Sequence, residues 1–167
     1  AQALSTAQVV ALSTSQVQAI STAGISGLTT DAVKGLSNSQ LQAITTAGVA
    51  AMTTTQVGAL GTSQVAALTS TETAALSTAQ VKALEVGDLA AMSTAQVAAL
   101  TTTQMGALTA GQVSNLTTGQ VAALTTAQVN VLSSTQVQAL SSTQVAALTT
   151  GQVAALTTGS VTSLSEA

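Results

Sequence analysis

The 167-residue chain has no Cys, His, Pro, Phe, Trp or Tyr, and only two basic and five acidic side chains, for a net charge of -3. These counts exclude a disulfide framework, a Cys/His metal centre and nucleophile–base catalysis through Cys or His, and they leave no basic patch for nucleic acid or an anionic membrane. Ser, Thr and Gln interrupt every apolar run well short of about 18 residues, so no membrane-spanning helix is expected, and any core must be built from small aliphatic groups.

From Leu4 to Leu164 one eight-residue phrase, L-[ST]-T-x-Q-V-x-A, repeats in unbroken register. Position one is always Leu, Ile or Met. Position six is Val, Ile, Leu or Met except at Thr73, position two is Ser or Thr except at Gly61 and Glu85, and position eight is nearly always Ala or Gly. No insertion or deletion breaks this pattern, so residues 1–167 form a single repeat array. Both ends fall inside the repeat and the first residue is Ala, which points to a segment of a longer chain.

The first octad already writes a complete helix start. Ser5 is placed to be the N-cap and Gln8 falls at N3, giving the capping box S/T-x-x-Q, while Leu4 and Val9 stand at the two ends of a hydrophobic staple. Ser13, Gln16, Leu12 and Val17 repeat the arrangement. Each octad therefore predicts one helix of about two turns.

Further along, departures from the phrase still respect its register. In "LTTDAVKG" (28–35), Asp31 and Lys34 read as a solvated surface pair. In "LEVGDLAA" (84–91), Glu85 and Asp88 read as an N-cap and an N3 acid of one capping box; as a cation or acid–base pair they lack the ligand count of a calcium site. Met52, Met92 and Met105 occupy positions one and six, where core packing rather than haem or copper ligation is expected. The glycines are dispersed and form no phosphate-binding loop. The sequence thus yields no catalytic, cofactor-binding or metal-ligating residue, and an enzyme is not expected.

The charges agree with helices. Glu85, Glu166, Asp31, Glu72 and Asp88 all occupy positions two to five, and Lys34 and Lys82 both occupy position seven, the polarity favoured by a helix dipole. A β-solenoid is the alternative, since Thr and Val favour strands. It fits poorly with the three-residue spacing of Val9 and Leu12 and with the loss of alternation across "QVAAL". Gly, the common residue just past a helix end, is not systematically present, and Leu fills that place.

Helices this short are unstable alone and must be stabilised by their neighbours. The expected fold is all-α: a solenoid or superhelical rod of short capped helices, one per octad. Its weakly charged surface favours self-association into a homo-oligomer or filament. The structural reading is an extracellular filament or the shaft of a surface adhesin. The binding reading is a solenoid that presents Ser/Thr rows, such as Ser13-Thr14 and Thr101-Thr102, to a glycan or to ice.

The stretches "LTTGQVAALTTAQV" (116–129) and "LSTAQVVALSTSQV" (4–17) resemble tandem octapeptide tracts of large bacterial secreted and surface proteins, often labelled haem-utilisation or adhesion proteins. The resemblance implies an extracellular or cell-surface location in a bacterium. Its haem component does not transfer, because this chain has no His, Tyr or Cys to ligate iron.

Overall fold

A computed structural model of the chain describes residues 4–156. Over that span it contains nineteen short α-helices, from α1 (Thr6–Val10) to α19 (Thr150–Ala155), numbered one per octad, and no β-strand. The fold is the helical solenoid; the β-solenoid alternative is ruled out.

Each helix starts where its cap chemistry requires. Ser5 adopts an extended backbone (φ -69°, ψ 158°), its Oγ accepts from the Gln8 amide and its own amide donates to Gln8 Oε1 at 2.8 Å. The same reciprocal bonds close the box at α2 (Thr14–Gln18), at α5 (Asn38–Gln42) and at most later helices. At α8 (Thr62–Ala67) the N-cap is Gly61, so only the Gln64 half forms, with the Gly61 amide donating to Gln64 Oε1 at 2.9 Å.

The helices stop without a left-handed residue. No positive φ occurs among the described residues. The amide of the next position-one residue closes back on the position-six carbonyl, as Leu12 does on Val9 at 3.1 Å. The position-one residue is then extended, as at Leu36 (φ -62°, ψ 132°), and the N-cap that follows is extended too. Two consecutive extended residues turn the corner, which is why Leu can stand where a C-cap glycine would otherwise be needed.

Packing follows one rule. Helices pair with the third helix after them, beginning with α1 on α4 (Thr30–Gly35) and ending with α16 (Thr126–Asn130) on α19. One superhelical turn therefore takes three octads, about 24 residues, and stacks the helices in three columns. Positions one and six point inward and form one continuous core, from Val9 through Leu41, Val81 and Val121 to Leu156. Full burial of one Val or Leu contributes about 1.5–3 kcal/mol. Thr73, the one polar residue at position six, is completely buried and satisfies its hydroxyl by donating to the Thr69 carbonyl at 2.9 Å. Turns approach closely: a Cβ on Gly58 would lie 2.9 Å from the Ala83 carbonyl oxygen of the next turn.

Candidate functional site

Position five carries the most unusual side chain in the fold. From Gln40 onward its glutamines are buried, and each joins two helix ends. At Gln104, Oε1 accepts from the Thr101 amide at 2.6 Å, while Nε2 donates to the carbonyls of Thr73 (3.1 Å), Ala74 (3.3 Å) and Leu76 (2.5 Å). Those carbonyls close α9 (Ser70–Ala75), four helices earlier, and belong to the group that a helix leaves without intrahelical partners. One amide thus caps the N-terminus of one helix and the C-terminus of another in the preceding turn. Gln56, Gln80, Gln120, Gln128 and Gln152 repeat this bond pattern. The sequence reading gave these glutamines only the local capping role and missed both their burial and their second bond.

Among the described residues five octads lack the amide: those of Gly24, Ala32, Gly48, Glu72 and Asp88. Glu72 keeps the box, its Oε2 accepting from the Thr69 amide (2.7 Å) and Oγ1 (2.9 Å), but an ionised carboxylate has no donor for carbonyls across the turn. At α11 (Val86–Ala91), the expected Glu85/Asp88 box does not form. Glu85 is the N-cap but makes no side-chain cap bond, and Asp88, one methylene shorter than Gln, turns to the preceding turn instead. There its Oδ1 accepts from Thr62 Oγ1 at 3.0 Å, while Oδ2 is buried without a partner, the only such side-chain oxygen or nitrogen among the described residues.

The remaining charges sit as the dipole argument places them, with Asp31 in the first turn of α4 and Lys34 in its last, and Lys82 in the last turn of α10 (Thr78–Ala83). Glu166 lies outside the described residues. Met52, Met92 and Met105 are buried core residues. Among the described residues no three His, Cys, Asp or Glu side chains cluster, and no helix is long and apolar enough to cross a membrane.

The outer surface is built from positions two, three, four and seven. Position-two hydroxyls accept the N3 amides, as Thr101 does from Gln104 at 3.2 Å, and position three lies one residue inside the cap, within the helix. With three octads per turn, residues 24 apart align. One column then carries Thr at position three in every turn, Thr6, Thr30, Thr54, Thr78, Thr102, Thr126 and Thr150. The column of α2, α5, α8 and α11 is less regular: Asn38, Gly61, Glu85, Val86 and Ala110 all fall on it or its continuation. On this column a shallow depression of about 300 Å³ lies beside Gly61, bordered by Lys34 and Asn38.

Short capped helices stacked three to a turn, with a continuous aliphatic core and amide bonds between turns, define a helical solenoid repeat protein. Matches to the ALTTAQ repeat span residues 2–30, 33–70, 81–118, 115–142 and 121–158, and the chain belongs to this repeat family. The unmatched stretch 71–80 contains the two departures Glu72 and Thr73. No curated protein and no solved structure matches the chain.

Proposed function

We propose that the protein is a non-catalytic structural element, the shaft of a bacterial surface adhesin or a subunit of an extracellular filament, which acts through its length and through self-association. The observation that carries this reading is the ladder of buried glutamines. Each turn is bonded to the one before it by the same amide, so adding octads extends the rod without changing its interior. The almost uncharged hydroxyl surface supports lateral association, since it offers little electrostatic repulsion. Electron microscopy of the purified full chain tests the proposal. Uniform rods that associate side by side or end to end are expected, and dispersed flexible particles would overturn it. Protease accessibility of the protein on intact cells tests its location.

A second reading rests on the unbroken threonine column from Thr6 to Thr150: a solenoid that binds ice or a regular glycan through aligned hydroxyls and methyls. Inhibition of ice recrystallisation by the wild type, lost on Thr54→Lys/Thr78→Lys/Thr102→Lys substitution, would favour it. Inactivity in both ice and glycan-array assays would sink it.

A further inference from the structure

We propose that Asp88 marks a Ca²⁺ site, in which the carboxylate and the backbone carbonyl oxygens that close α7 (Thr54–Gly58) hold the ion between two turns of the superhelix. The register of the ladder identifies the facing atoms. Gln80 donates to the Val49 and Met52 carbonyls, and Gln96 to those of Val65 and Leu68. At the same offset, Asp88 stands over the carbonyls of Val57 and Leu60. Neither receives a side-chain donor, and the Leu60 oxygen has no hydrogen-bond donor among the described residues.

Asp88 itself supplies the independent sign that something is bound there. Its side chain is 3 % exposed, yet Oδ2 has no partner, a costly arrangement for a buried polar atom. Carbonyl oxygens cannot satisfy a carboxylate, because both are acceptors. A cation satisfies all of these oxygens together. The methylene that Asp lacks relative to Gln leaves about 1.5 Å of reach unfilled, the place that the Gln amide nitrogen takes in the other octads.

Other details fit an ion. The Thr62 hydroxyl donates to Oδ1 at 3.0 Å and fixes the carboxylate plane, leaving Oδ2 to ligate. Beside it, a Cβ on Gly87 would meet nothing within 4 Å, so the chain leaves open space at that position from which water can complete the coordination once the ion is bound. The donors are all oxygen, which selects a hard cation. A flexible set rich in backbone carbonyls suits Ca²⁺, whereas Mg²⁺ demands a tight octahedron and keeps its waters. Glu85, exposed three residues earlier, adds negative potential. With one buried carboxylate the affinity falls in the weak range of about 10⁻⁴–10⁻³ M.

The test uses the full chain, stripped with chelator, followed by calorimetric titration and by thermal unfolding in CaCl₂ or in NaCl at equal ionic strength. Wild type is expected to bind one Ca²⁺ and to show a saturable rise in Tm. Asp88→Gln, which restores the ladder amide, is expected to fold, to have a higher Tm than metal-free wild type, and to lose the Ca²⁺ response. Glu72→Gln should retain that response. A Ca²⁺ shift no larger than that given by NaCl, or one that Asp88→Gln retains, overturns the proposal.

Discussion

Ile44 leaves no room for a side chain at Gly48: a Cβ there would lie 2.6 Å from Ile44 Cγ2. Ile20 and Gly24 stand in the same relation at the same distance. Both isoleucines at position one are thus paired with glycine at position five of their own octad. The branched methyl fills the space through which a glutamine stem would leave the backbone, and a β-branched side chain has little χ1 freedom to move aside. Gly48→Ala should destabilise the protein by about 1 kcal/mol or more, because overpacking at about 1–3 kcal/mol outweighs the helix propensity gain. Ile44→Leu/Gly48→Gln should reverse the loss by completing the missing rung to the Val17 and Ile20 carbonyls. A double-mutant cycle in urea measures this coupling, and additive effects would refute it.

The ladder requires an amide rather than any hydrogen-bonding group of similar shape. Gln104→Glu places carboxylate oxygen against the Thr73 and Leu76 carbonyls and should cost about 3 kcal/mol at neutral pH, the scale of a buried charged group left without partners. Glu72→Gln is the reciprocal experiment. It keeps the acceptor for the Thr69 amide and supplies the donor for the Leu41 and Ile44 carbonyls, so it should stabilise by roughly 1 kcal/mol. Equilibrium denaturation of the two variants checks both signs.

Adjacent hydroxyls in one octad have separable roles. Thr101 caps α13 (Thr102–Ala107) through its bond from the Gln104 amide, and Thr101→Ala should cost about 1 kcal/mol. Thr102, exposed on the threonine column, should tolerate Ala within about 0.5 kcal/mol. Equal losses at the two positions would contradict this division of labour.

Stability should rise with length in a stepwise manner. Glutamine bonds reach 28 to 31 residues back, so a fragment of four octads completes no rung, Gln40 reaching only as far as the Leu12 carbonyl, and a fragment of five completes the first. Isolated helices of five or six residues do not persist in water. Fragments of up to four octads should give coil spectra in circular dichroism, and longer ones should gain helicity per residue as rungs are added. Helicity independent of length would show that local capping suffices alone.

What the sequence discloses is what lies within a few residues of itself. Ser5, Gln8, Leu4 and Val9 spell cap, box and staple at local spacings, and the inward positions one and six follow from the same periodicity. The bond from Gln40 Nε2 to the Leu12 carbonyl, 28 residues away, has no local signature, and neither does the pitch that aligns residues 24 apart. One clue was nonetheless present. A capping box accepts Glu as readily as Gln, yet position five holds Glu only at Glu72. The preference for an amide signals a donor bond beyond the box. The failure of the box at Glu85/Asp88 was equally hidden, because both residues respect the register, and only the Thr62 contact reveals that Asp88 faces across the turn.

The three-octad turn also has a genetic consequence. Tandem repeats change number by unequal recombination, and loss or gain of any whole octad preserves every capping box and the Leu/Val core. Only changes in multiples of three octads keep the columns in phase. Deleting one octad would leave a folded rod but move every downstream residue to a different side, splitting the column of Thr6 to Thr150 across two faces. Selection on a surface property would therefore be visible as length variation in steps of 24 residues, and selection on length alone as steps of eight.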